Sequence, residues 1–160
     1  MENLKITIEC LEDLIAFHAE RIDGYDALLS RLSAEDECLA TLFRAFIKQS
    51  HNMRDELIRA EAMWNMDEGQ LRRSGRFGLA WSVVKAVFSS NMPTYPLDKC
   101  KSGENAFLIA YHSVEGTDGL HPAIRLLVNR QKREVIEARE WILHFEGVRK
   151  APIQQLAAVS

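Results

Sequence analysis

The stretch that decides the fold is residues 4–32, LKITIECLEDLIAFHAERIDGYDALLSRL. Seven apolar side chains and one histidine recur in it at spacings of three and four: Ile8, Leu11, Ile15, His18, Ile22, Tyr25, Leu29 and Leu32. This spacing places them on one face of an α-helix. We therefore predict one long helix over about residues 4–32, with that face turned toward the core of a helix bundle.

The next segment continues the same pattern. Ser33 can cap a helix N-terminus, and the acidic residues 35–37 suit the first turn of a helix. The repeat then runs through Leu39, Phe43, Phe46, Ser50, Met53, Leu57, Ala60 and Trp64. It predicts a second helix over about residues 34–65, antiparallel to the first because the turn between them is short.

Residues 66–96 interrupt the pattern with three glycines and two prolines. Within them, Leu79 to Phe88 predicts a short extra helix with apolar side chains on more than one side. It can pack on the bundle or, through Trp81, form the surface of a homodimer. A connection of this length can carry the chain from one end of a bundle to the other.

Two more helices are predicted after Pro96 and from Pro122, separated by Gly116 and Gly119. The third has a seam of Leu97, Cys100, Glu104, Phe107, Tyr111 and Val114. The seam of the fourth is Ile124, Leu127, Gln131, Glu134, Ala138, Trp141, Phe145 and Val148. Because Gly147 and Pro152 limit the last helix, we predict one domain over residues 1–150 and a flexible tail over residues 151–160.

Composition narrows the class of protein. The chain has 160 residues, of which 47% are hydrophobic and 27% charged, as in a single soluble globular domain. A net charge of -3 favours neither nucleic acid nor an anionic membrane as partner. Three widely separated cysteines argue against a disulfide scaffold and favour the cytoplasm. The common nucleotide-binding and hydrolase motifs are absent from the sequence. The hypothesis that the protein is an enzyme is therefore the less favoured one.

The most informative feature is a set of polar residues at core positions of the seams: His18, Ser50, Glu104, Gln131 and Glu134. A buried carboxylate is costly unless it is paired, hydrogen-bonded or metal-bound. His18, Glu104 and Glu134 could converge as ligands of iron, manganese or zinc. The favoured alternative is a hydrogen-bonded network, with no cofactor, in which Glu104→Gln changes stability little or even increases it.

The chain resembles a family of small, uncharacterised bacterial proteins of the ferritin-like superfamily. Five motifs carry the resemblance: residues 11–15 with Gly24-Tyr25, Leu42-Phe43, residues 75–81, Gly103-Glu104-Asn105-Ala106, and residues 130–134. Together they cover roughly residues 8–146. The resemblance implies a four-helix bundle with a long crossover between the second and third helices.

The same resemblance implies a di-iron site built from a Glu on each of two helices and an E-x-x-H on each of the others. The sequence contains no E-x-x-H; Ile22 occupies the expected first carboxylate position and Arg139 the expected histidine position. We therefore expect a non-catalytic protein, stress-related by family analogy, that forms a dimer or binds a protein partner. The alternatives are a metal protein using the three residues above and a binder of a small apolar ligand.

Overall fold

A computed structural model describes the backbone of residues 2–64 and 95–159 and the side chains of residues 3–63 and 95–147. Its α-helices are α1 (Glu2–Leu29), α2 (Glu37–Trp64), α3 (Pro96–Glu115) and α4 (Pro122–Val159). These described ranges contain no β-strand, so the predicted all-α class is confirmed. The helix predicted over 79–88, with Trp81, lies outside the described residues.

The starts of α2 and α3 and the turn between α3 and α4 follow the signals in the sequence, whereas α1 ends at Leu29, three residues before its predicted end. A 3-10 turn, Ala34–Asp36, precedes α2, and the Ser33 hydroxyl donates to Asp36 Oδ2 at 3.1 Å. Pro96 begins α3, where its missing N–H removes no helical hydrogen bond. Between α3 and α4, Gly119 has a φ of 87°, a conformation that glycine adopts most easily.

The last helix is longer than the sequence predicts. It continues through Gly147 and Pro152 to Val159, whereas these two residues suggest an end near residue 147. The flexibility predicted for residues 151–160 stays a prediction.

Neighbouring helices run antiparallel. Along α1, Tyr25 meets Cys100 near the start of α3, while Thr7 accepts a hydrogen bond from His121 just after its end. α1 packs on α2 and α3, and α4 packs on α3 and, less closely, on α2. Since α2 and α3 are each antiparallel to α1, the chain enters α3 at the opposite end of the bundle from where it leaves α2.

The core follows the predicted seams in α2 and α3. It departs from the predicted seam of α1 at Ile15 and Leu29, which are only partly buried, and departs most in α4. Phe43, Phe46 and Phe107 are buried as predicted. In α4, by contrast, the buried positions are Ile124, Val128, Gln131, Val135, Ala138 and Ile142. Trp141, which the sequence places in the core, is 63% exposed, and the predicted placement is wrong. The true seam lies one position away over much of the helix, along residues that the sequence places at its flank.

The first testable prediction concerns this core. Phe46 is 3% exposed and packs on Tyr25, with ring centroids 5.3 Å apart. Phe46→Ala should lower the free energy of unfolding by about 3–5 kcal/mol, because it removes buried area and leaves a cavity. Ile109→Ala, at a site that is 62% exposed, should change it by less than about 0.5 kcal/mol. Equal losses in urea unfolding would show that α2 is wrongly phased.

Candidate functional site

Six fully buried polar side chains meet in the middle of the bundle. They are His18 and Arg21 from α1, Ser50 from α2, Glu104 and Tyr111 from α3, and Gln131 from α4. Burial removes these groups from water, so each polar atom needs a partner inside the protein. The hydrogen bonds between them supply these partners, and together they connect the four described helices.

An ion pair forms the charged part of this network. Arg21 donates from Nε to Glu104 Oε2 at 2.9 Å and from Nη2 to Oε1 at 2.5 Å, and neither side chain is exposed. Burial alone lowers the pKa of Arg21, but the charge and hydrogen bonds of Glu104 outweigh it and raise that pKa. Two parallel bonds between a planar guanidinium and a carboxylate fix both groups in orientation as well as in charge.

Arg21 is enclosed further by polar and aromatic groups. Its Nη1 donates to Ser50 Oγ and to Gln49 Oε1, both at 2.9 Å. The centroids of the Phe107 and Phe46 rings lie 5.0 and 5.4 Å from the guanidinium carbon. Ring faces attract a cation most strongly where water is absent. The site therefore stabilises a buried positive charge from several sides.

His18 continues the network as a neutral side chain. Its Nδ1 lies 3.0 Å from Ser50 Oγ and its Nε2 lies 2.5 Å from Tyr111 Oη. Tyr111 uses its hydroxyl hydrogen to donate to Gln131 Oε1 at 2.6 Å, so its oxygen must accept from Nε2–H of His18. Nδ1 then accepts from the Ser50 hydroxyl. Burial, followed by the charges of Arg21 and Arg54, lowers the pKa of His18 well below 6.5, in agreement with this tautomer.

The bonds form a chain in which every donor points the same way. It runs from Arg21 through Ser50, His18 and Tyr111 to Gln131. The Gln131 amide then donates to the Met53 carbonyl and to Glu56 Oε1, both at 3.2 Å. Arg130 also donates to Glu56, so the chain ends on a carboxylate near the surface. Bonds aligned in this way polarise one another and strengthen the network.

The residues predicted to hold a metal occupy two different environments. Both carboxylate oxygens of Glu104 bind Arg21, and both ring nitrogens of His18 have partners. Glu134, predicted to face the core, is 43% exposed in its side chain and accepts from Arg130 at 3.1 Å; that placement is wrong. Within the described ranges, no group of three or more His, Cys, Asp or Glu residues is arranged to hold a metal ion. The metal site stays a prediction, and these residues fit it only if the present bonds break.

A second feature, absent from the sequence prediction, is an open groove between α2 and α4. It encloses about 710 Å³ and has a mostly apolar lining. The α2 wall includes Leu42, Ala45 and Phe46, and the α4 wall includes Trp141 and Phe145. The polar lining residues are Cys38, Thr41, Gln49, Glu134, Glu137 and His144. Trp141 lies against His144 with ring centroids 5.9 Å apart, and a large part of its surface stays in contact with water.

No family model, curated protein or solved structure matches the chain. The described helices include none with the length and hydropathy needed to span a membrane.

The second prediction tests the buried charge. Glu104→Gln keeps the shape of the side chain but leaves Arg21 as an uncompensated buried cation. It should lower the free energy of unfolding by about 3–5 kcal/mol, as for other broken buried pairs. This expected loss replaces the mild or stabilising effect that the sequence alone predicts for Glu104→Gln, because the sequence does not identify Arg21 as the partner of Glu104.

The matched control is Glu134→Gln, which breaks the half-exposed pair with Arg130. Solvent screens such pairs, so the loss should stay below about 1 kcal/mol. Urea unfolding of both variants gives the comparison, and a Glu104→Gln loss no larger than that of the control contradicts the assignment.

The third prediction concerns pH. Since the pKa of His18 is lowered in the folded state, the unfolded chain takes up its proton first as the pH falls below about 6.5. The free energy of unfolding should then decrease with falling pH, by up to about 1.4 kcal/mol per pH unit from this one group. His18→Gln should remove that contribution to the slope. His112→Gln, at an exposed site, should keep it, and equal slopes in wild type and His18→Gln would exclude a buried neutral histidine.

Proposed function

We propose that this protein is a non-catalytic interaction protein, and that the groove between α2 and α4 binds a helical segment of a protein partner. The observation that carries the proposal is Trp141, 63% exposed on the wall of an apolar groove. Large exposed aromatic groups beside a concave apolar surface are typical of binding sites.

The dimensions of the groove suit a helix. Its lining extends over residues 38–49 of α2 and 134–145 of α4. At 1.5 Å per residue this is a length of about 16 Å, or three helical turns. An amphipathic helix that lies in such a groove buries apolar side chains spaced at i, i+3, i+4 and i+7.

The buried network supports the non-catalytic part of the proposal. His18, Glu104 and Tyr111 are the groups in it best suited to acid–base chemistry, and all three are 0% exposed. A substrate would have to open the bundle to reach them. Burial also raises the pKa of Tyr111, which makes proton release from it harder.

We also propose that the bundle is ferritin-like. Two antiparallel helix pairs, α1–α2 and α3–α4, are joined by a connection between opposite ends of the bundle, as in ferritin-like folds with one long crossover. Its stress-related role and bacterial origin are proposals from the resemblance alone. A cytoplasmic location is supported by three free cysteines, two of them buried.

The fourth prediction tests the groove with a synthetic helix. The probe is a peptide of about 14 residues with a leucine stripe and uncharged Gln and Ala elsewhere. Cys38 serves as reporter, because it is the one exposed cysteine and it lines the groove. The peptide should slow the modification of Cys38 by an uncharged maleimide. Trp141→Glu should weaken this protection at least about tenfold.

The matched control is Leu126→Glu, on the same helix and 74% exposed but not part of the groove lining. It should leave the protection unchanged. Sedimentation of the wild type without peptide tests whether a second copy of the chain fills the groove instead. If the wild type is a dimer and Trp141→Glu makes it a monomer, a second copy of the chain occupies the groove, and the proposal is overturned. So would slow modification of Cys38 in the monomer alone, because the chain would then already fill its own groove.

A further inference from the structure

We infer that the helix bound in this groove carries a basic residue, Arg or Lys, beside its apolar stripe, on the side that faces α4. The inference rests on the proposed function and adds the chemistry of the partner. It is carried by the charges and the aromatic group on the α4 wall.

The groove has a charged wall and an uncharged wall. Glu134 and Glu137 are the carboxylates among the lining residues, three positions apart on α4, and the described lining includes no Lys or Arg. On α2 the lining residues are apolar or neutral polar, such as Ala45 and Gln49. A bound helix therefore meets negative charge along one flank.

The two carboxylates differ in how much charge they offer. Glu134 accepts from Arg130 at 3.1 Å, so its charge is partly compensated within the protein. Glu137 lies one turn further along α4 and is exposed. A cation on the partner gains most by approaching Glu137.

Trp141 adds a second attraction at the same place. It follows Glu137 by four residues, and side chains at i and i+4 of a helix are neighbours on one face. A cation between them can interact with the carboxylate and with the indole ring. Arg suits this position best, since its planar guanidinium can bond to a carboxylate while stacking on an aromatic ring.

A second copy of the chain fits the groove less well. A two-fold contact would set this groove against itself, and two concave surfaces leave the space between them unfilled. It would also bring a second Glu134 and Glu137 to the contact without adding any Lys or Arg from the described lining. A separate convex partner of opposite charge is the better complement.

The fifth prediction compares three peptides of about 14 residues that share the leucine stripe and differ only at the flanking positions, which hold Arg, Gln or Glu. Protection of Cys38 from the uncharged maleimide reports affinity. The Arg peptide should bind about two- to fivefold more tightly than the Gln peptide, and the Glu peptide more weakly, as for a solvent-exposed ion pair. Added salt should reduce these differences.

Two variants locate the charge effect. Glu137→Gln should remove most of the difference between the Arg and Glu peptides. Glu140→Gln, an exposed carboxylate on α4 outside the groove lining, should leave the affinities of all three peptides unchanged. Equal losses in the two variants would show a general effect of net charge and overturn the inference.

The outcomes also separate the inference from the proposed function. If all three peptides protect Cys38 equally, the groove binds a helix and the charge assignment is wrong. If none protects Cys38, the proposed function itself fails. Preference for the Glu peptide would reverse the sign of the partner and likewise overturn the inference.

Discussion

The ion pair between Arg21 and Glu104 is the constraint on which the rest of the core depends. Two charges at 0% exposure are far from water, and each is tolerated only because the other is held against it by two hydrogen bonds. The pair joins α1 to α3. Through Ser50 and His18, Arg21 also sets the direction of a hydrogen-bond chain that reaches α2 and α4. The packing of four helices is thus tied to one guanidinium.

Such a network favours specificity over stability. Apolar side chains of similar volume often stabilise a core as well as a buried ion pair does. Apolar packing alone, however, permits several registers of neighbouring helices. A register shift here would separate Glu104 from Arg21 and Gln131 from Tyr111, leaving buried polar atoms unpaired. We infer that the network selects one arrangement of the helices. That arrangement leaves α2 and α4 apart at the groove where Trp141 lies.

The sequence predicts the helices well and the site only in part. Apolar periodicity locates the four described helices, and polar interruptions in it correctly mark His18, Ser50, Glu104 and Gln131 as buried. Apolar periodicity does not identify Arg21 as buried. Arginine is almost always exposed, and the polar residues on the helical face beside His18 predict a surface position. The available signal was the carboxylate in α3, which needed a cation from another helix.

The groove is missed for a related reason. In α4, apolar residues occur on two adjacent faces, so periodicity alone does not decide whether Trp141 or Ile142 faces the core.

The central claim, that Arg21 and Glu104 act as one unit, is tested most directly by a double-mutant cycle with Arg21→Met and Glu104→Leu in urea unfolding. The account predicts that the double variant is more stable than the sum of the single losses implies, by about 2–3 kcal/mol. Additivity within about 0.5 kcal/mol would contradict it.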